Sequence, residues 1–259
     1  MYFIDTHSHI YLKHFKNDVK EVVNRAAKQG VKYIFLPNID SSSIDDMFNV
    51  SKQFPKICFP MIGLHPTSVE EDFEFELKVV EKVLSEHKFI AIGEIGIDLY
   101  WDKTFIEEQK FALKTQLELA LLNNLPVVIH SRDSFNEVYE ILESYGKGKL
   151  SGIFHAFSGS VEQAEKIIDL GFKIGIGGVV TYKNSGLADT VREIDLSNIV
   201  LETDSPYLTP VPKRGKRNEP TYLIYIAKKL SEIYNMKVEE IAQITSNNVR
   251  RSEERRVGK

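Results

Sequence analysis

Histidines and carboxylates recur in this chain at the ends of short apolar runs, where an unpaired polar side chain is costly. The runs are YFIDTHSH with His7 and His9, FIAIGE with Glu94, PVVIH with His130, GIFH with His155, and NIVLETD with Glu202 and Asp204. Imidazole and carboxylate together suit hard or borderline divalent metals. His7 and His9 stand two apart, so in extended chain both side chains point to the same side. Two converging imidazoles suit a zinc-like ion at about 2.0–2.1 Å. The plain alternative is a pair of surface or capping residues after Asp5. Glu94 follows Ile90-Ala91-Ile92-Gly93, and a buried carboxylate there costs several kcal/mol unless it is paired or bound to a cation. A bridge between two metals meets that need; so does an ion pair with Arg132.

His130 and His155 repeat the pattern. One histidine on an apolar strand is commonly a hydrogen-bonded core residue, but two at equivalent places on adjacent strands point to a shared ligand. Asp204 closes the set; it could bind metal and also accept the proton of the attacking water. Glu202 reads as support for a ligand from behind. Four imidazoles and two carboxylates exceed the three protein ligands usual for one catalytic metal. They suit two divalent ions sharing Glu94, with Mg2+, Mn2+ and Zn2+ as candidates. A pair about 3.5–4 Å apart can activate water and stabilise the leaving oxygen of a phosphate ester.

Other residues suit a substrate. Arg132, two beyond His130, could contact a phosphate or neutralise Glu94 or Asp133. His65, in Gly63-Leu64-His65-Pro66, reads as a substrate contact or a support rather than a ligand. Lys213, Arg214, Lys216 and Arg217 crowd into one loop after Asp204, a candidate grip on a phosphate backbone, against which stands an ordinary solvated loop. Tyr100, Trp101 and Tyr207 could stack on bases or pack over the site. His14 and His87 carry no assigned role.

Apolar β-branched runs are expected as strands at 2–5, 33–37, 57–63, 89–93, 127–129, 152–154, 172–176 and 199–201. Helical patterns lie between them at 19–29, 44–53, 77–87, 107–123, 135–145 and 161–170, with two more at 220–234 and 238–249. Gly30 and Gly171 fall where left-handed helix C-caps are needed. Eight β/α units without a composition break predict one (β/α)8 barrel of the TIM type over residues 1–250, with the site at the C-terminal rim of the strands. An open parallel sheet is the runner-up. Residues 251–259 form a charged tail, read as disordered or foreign to the domain.

The chain has 259 residues, 42% of them hydrophobic, and a formal net charge of −4. That balance argues against a protein coated with nucleic acid, but not against a local basic patch. The one cysteine, Cys58, excludes a disulfide within the chain and reads as a buried inert thiol. With no signal-like segment and no apolar run of membrane-spanning length, the cytoplasm is the expected location, with neither membrane nor obligate protein partner.

Six ordered motifs carry a family resemblance: Asp5-Thr6-His7-Ser8-His9, Gly63-Leu64-His65-Pro66, Gly93-Glu94-Ile95-Gly96-Ile97-Asp98, Ile129-His130-Ser131-Arg132, Phe154-His155-Ala156-Phe157-Ser158-Gly159 and Leu201-Glu202-Thr203-Asp204-Ser205-Pro206-Tyr207-Leu208. The chain resembles the TatD-type metal-dependent deoxyribonucleases of the metal-dependent amidohydrolase superfamily, from residue 2 to about residue 249. The resemblance implies a (β/α)8 barrel and hydrolysis of phosphodiester bonds in DNA, often from a single-stranded 3′ end. It implies that His7 and His9 hold one metal and His130 and His155 the other, that Glu94 bridges them, and that Asp204 binds metal and accepts the proton. Arg214 to Pro220 also matches. The departure comes after Arg250, where Arg251-Ser252-Glu253-Glu254 replaces an apolar pair that packs the last helix.

The leading expectation is therefore a 3′–5′ exonuclease on single-stranded DNA. The alternatives are hydrolysis of a cyclic amide, a lactone or an aminoacyl-tRNA ester at the same two-metal site, since one barrel hosts many chemistries. A non-catalytic scaffold would be expected to have lost a ligand position, and none of the six is lost.

Overall fold

A computed structural model describes residues 2–254. Strands and helices alternate along the chain. The eight strands are β1 (Phe3–Asp5), β2 (Val31–Leu36), β3 (Cys58–Pro60), β4 (Ile92–Asp98), β5 (Val127–Arg132), β6 (Gly152–Phe154), β7 (Lys173–Ile176) and β8 (Ile199–Leu201). The helices are α1 (Val19–Lys28), α2 (Ile44–Gln53), α3 (Phe73–Glu86), α4 (Ile106–Leu122), α5 (Phe135–Ser144), α6 (Val161–Leu170), α7 (Leu187–Arg192), α8 (Leu223–Tyr234) and α9 (Val238–Glu254).

All ladders are parallel, one running β1-β2-β3 and the other β4 through β8 in order. Two seams join them. At β3–β4, the Gly93 N–H donates to Ile62 O at 2.8 Å and the Ile62 N–H to Ala91 O at 3.3 Å. At β8–β1, the Thr6 N–H donates to Leu201 O at 3.1 Å and the Asp204 N–H to His7 O at 2.9 Å. With both seams bonded the sheet has no free edge, and the fold is a (β/α)8 barrel.

Two apolar layers follow from the two-residue period of the strands. Outward side chains such as Ile95, Ile97, Ile129, Phe154, Ile199 and Leu201 pack beneath the helices. Inward ones, including Ile4, Phe35, Met61, Ala91, Val128, Ile153 and Val200, fill the barrel and meet Val249 of α9. One step of that period above this floor come His130, His155 and Glu202. Polar side chains therefore begin where the apolar floor ends.

Three elements, β4, β5 and α7, differ from the sequence expectation in ways that matter here. β4 and β5 run on to Asp98 and Arg132, because Gly96, Ile97 and Asp98 pair in register with His130, Ser131 and Arg132. Glu94 thus lies within a strand rather than past its end. Helix α7 has no expected counterpart; it is six residues long and buries only Leu187 and Val191, too little apolar periodicity to read. The last helix docks despite the missing apolar pair. Ile241 and Ala242 are fully buried, and Asn248 Nδ2 donates to Leu196 O and Ile199 O at 2.8 and 2.7 Å. Its backbone continues to Glu254, and residues 255–259 of the expected charged tail lie outside the described residues.

Candidate metal centre

Glu94 lies at the middle of the rim, 2% exposed. Its two oxygens face different partners. Oε2 is 3.0 Å from His7 Nε2 and 3.6 Å from His9 Nε2. Oε1 is 2.7 Å from His130 Nδ1, 3.3 Å from His65 Nε2 and 3.5 Å from His155 Nε2. Asp204 Oδ1 completes the first side, 3.7 Å from His9 Nε2 and 4.0 Å from His7 Nε2. The imidazole nitrogens of His7 and His9 are 3.2 Å apart.

This donor set fits divalent cations. Separations of this size are those between atoms sharing one ion at about 2.0–2.2 Å. No Lys or Arg forms an ion pair with Glu94 among the described residues, so the Arg132 ion pair is not made. The Arg132 guanidinium instead lies 3.7 Å from the Tyr100 ring centre.

The outer ring nitrogens decide which imidazoles present a lone pair. Tyr11 Oη donates to Pro37 O at 2.6 Å, so it accepts from His9 Nδ1 at 2.9 Å and leaves His9 Nε2 free to bind. His130 Nε2 is 2.9 Å from Asp98 Oδ2, which fixes the proton there and turns Nδ1 inward. His155 Nδ1 sits 2.9 Å from Glu202 Oε1, so its Nε2 faces Glu94. Outer contacts of this kind, carboxylates for His130 and His155 and a hydroxyl for His9, orient metal-bound histidines. His65 behaves differently. The Thr67 N–H donates to its Nδ1 at 3.1 Å, so a neutral His65 carries its proton on Nε2 and offers a donor instead of a lone pair.

Burial sets the charges. It holds His7 well below the usual imidazole range, with His155 stacked on it at 3.5 Å adding to the effect. Neutral imidazole is the form a metal takes. Burial opposes the charge on Glu94, but the surrounding imidazoles outweigh it and hold the carboxyl well below its usual range. Burial lifts Asp204 to about 6 and Asp5 to about 7. For His155 burial is overcome by Glu202 and Glu94, and the imidazole rises to about 10.

Local structure positions these groups. Asp5 accepts from the Thr203 N–H at 2.8 Å and from Thr203 Oγ1 at 2.6 Å, tying the end of β8 to β1. Asp204 has φ of +55°, a left-handed conformation that a non-glycine residue keeps only when its neighbours enforce it. Here Asn218 Nδ2 brackets the turn by donating to Thr203 O and Tyr207 O at 2.7 and 2.6 Å. Glu202 is fully buried, and its Oε1 accepts from the Ala156 N–H at 2.6 Å. β7 makes room for it with Gly175, where a Cβ would lie 2.3 Å from Glu202 Oε2.

A cavity of about 660 Å3 opens above the centre, walled by His9, His65, Glu94, His130, His155 and Asp204 below and by Trp101, Arg132, Tyr207 and Leu208 at the mouth. Among the described residues Arg132 is the one Lys or Arg on its wall. The reading of Arg217 as a phosphate grip needs correction. Its guanidinium pairs with Asp18 at 2.8 and 2.7 Å and with Glu219 at 2.9 Å, and so fastens the loop to the barrel. Arg214 and Lys216 do not line the cavity either; Arg214 stacks on Tyr182 at 4.0 Å beside a separate cleft. Asp98 is the residue that sequence reasoning passed over. Its signal was its place four residues after Glu94 on one strand, an even spacing that puts both on the inner face.

A (β/α)8 barrel carrying this donor set at its strand ends defines a metal-dependent hydrolase. The family model described as TatD related DNase matches residues 4–253, and the chain belongs to the TatD family. It is 37% identical over 248 residues to the uncharacterized metal-dependent hydrolase YabD of Bacillus subtilis, covering 95% of this chain and 97% of that one. It is 33% identical over 249 residues to the uncharacterized metal-dependent hydrolase YjjV of Escherichia coli, covering 95% of each. The crystal structure of YjjV, a TatD homologue, superposes with a TM-score of 0.89 over 95% of both chains. No helix among the described residues is long and apolar enough to cross a membrane.

Proposed function

We propose that this protein hydrolyses phosphodiester bonds at the ends of single-stranded DNA, in the 3′–5′ direction, with two divalent ions. His7, His9, Asp204 and Glu94 Oε2 would hold one ion, and His130, His155 and Glu94 Oε1 the other. The carrying observation is the division of imidazoles between the two oxygens of one buried carboxylate. Divalent ions bound there supply an activated water and neutralise charge at the phosphate. Asp204, at the edge of the cavity, accepts the proton lost by the attacking water. His65 Nε2–H and the Arg132 guanidinium face the cavity as donors for phosphate oxygens. The apolar floor fills the barrel below the centre, and the cavity opens on the side of the mouth. The cytoplasm is the proposed location, without an obligate protein partner.

The test uses metal-stripped protein, Mg2+, Mn2+ or Zn2+ added in turn, and single-stranded oligonucleotides labelled at either end. Metal-dependent shortening from the 3′ end is the expected result. No cleavage with any metal, alongside hydrolysis of a lactone, a cyclic amide or an aminoacyl-tRNA ester, would move the site to the other bond class.

A further inference from the structure

Large aromatic side chains are exposed on both sides of the cavity mouth, and the metal centre does not use them. Trp101 is 71% exposed and Tyr207 49% exposed, yet both line the cavity. Trp101 follows β4 and Tyr207 follows β8, strands that face each other across an eight-stranded barrel. The two rings therefore stand on opposite lips. Exposed apolar groups gathered at a cleft mark a contact surface more often than solitary ones do.

The β4 lip is built as one unit. The Tyr100 ring meets Trp101 edge-on, with centres 4.8 Å apart. Arg132 lies over the Tyr100 ring, 3.7 Å from its centre, and 5.3 Å from the centre of Trp101. The Tyr100 N–H donates to Asp98 Oδ1 at 3.0 Å, so the carboxylate that orients His130 also holds the start of this loop. Tyr100 is thus occupied by the guanidinium, while Trp101 keeps open ring surface. Among the described residues Arg132 forms no ion pair, its charge reaching Asp98 only at longer range, and it is the one Lys or Arg on the cavity wall.

An aromatic face, a cation held in no ion pair among the described residues and a centre for phosphate chemistry, set within one cavity, match the repeating chemistry of a single strand: base, phosphate, base. We propose that Trp101 stacks on the nucleobase beside the scissile phosphate, that Arg132 braced on Tyr100 takes that phosphate, and that this lip makes the site select an unpaired base. A base held in a duplex is stacked on its own neighbours and cannot present its face to Trp101. The inference rests on the phosphodiesterase reading and adds the means by which strand ends are chosen.

Trp101 is the chain's only tryptophan, so its fluorescence reads the contact directly. Metal-loaded protein is titrated with a short single-stranded oligonucleotide whose terminal linkage is a phosphorothioate, and with the same strand lacking the last base at the cleaved end. Saturable quenching by the complete strand is expected, with about tenfold weaker affinity for the abasic one, equivalent to about 1.4 kcal/mol and within the range for one stacked base. Trp101→Ala, followed by anisotropy of labelled strands, should bind both alike, and Trp101→Phe should recover most of the difference. Equal affinity of the natural protein for the two strands, or a difference that survives in Trp101→Ala, would overturn the proposal. Turnover of unmodified DNA in parallel samples reports the phosphodiesterase reading by itself. A protein that cleaves DNA while ignoring the missing base refutes stacking alone.

Discussion

The lip after β4 and β5 and the loop after β8 both border the mouth, and both carry arginines and tyrosines. Their bonding is opposite. On the β8 side Arg217 is held by Asp18 and Glu219, Arg25 pairs with Glu219, and Asn218 clasps the backbone on either side of Asp204. On the β4–β5 side the Arg132 guanidinium lies over the Tyr100 and Trp101 rings and forms no ion pair among the described residues, and Tyr100 and Trp101 are half or more exposed. The difference teaches that clustered cations in a sequence say little until their partners are known. A guanidinium paired with two carboxylates is a fastener; one set against a ring and held in no ion pair is available to a phosphate.

The comparison sharpens first at Asp98, where the lip meets the metal centre. Asp98→Asn removes the charge that fixes His130 and should weaken metal affinity about 10–100-fold, as read by competition with a chelator; unchanged affinity would detach the lip from the centre. Next comes the cation itself. Arg132→Ala should raise KM for an oligonucleotide roughly tenfold, the loss of one charged hydrogen bond, with kcat changed much less. Arg214→Ala and Lys216→Ala should leave KM within about threefold, in line with weak exposed charge effects. The smallest effect belongs to Arg217→Ala. It should lower stability by about 1 kcal/mol, as a partly exposed ion-pair network does, and shift Tm by about 2–4 °C with KM intact. A tenfold rise in KM for Arg217→Ala, and none for Arg132→Ala, would reverse the roles of the two regions.

Much of the barrel is legible in the chain. Short apolar runs alternating with helical periods count out its units, and Gly30 and Gly171, at φ of +91° and +101°, mark where helices end. What escapes is set by long-range pairing. β4 reaches Asp98 because β5 is beside it, and no local pattern around Ile95-Gly96-Ile97-Asp98 announces that neighbour. Helix α7 escapes because two buried side chains make no visible period. In the site, histidines ending apolar runs were readable because burial makes them expensive. Arg217 was not, since its partner Asp18 lies 199 residues away. The tautomers of His9 and His65 turn on Tyr11 and Thr67, neighbours two residues along the chain whose bearing appears only in three dimensions.

Everything proposed for this site depends on Glu94 dividing its two oxygens between two ions. The direct measurement is the divalent-metal content of protein loaded and then dialysed, for the natural chain and for Glu94→Ala, with folding checked by circular dichroism. The account predicts two equivalents per chain in the natural protein, and at most one, weakly held, in the variant. A natural chain that retains none, or a folded Glu94→Ala that retains both, would contradict it.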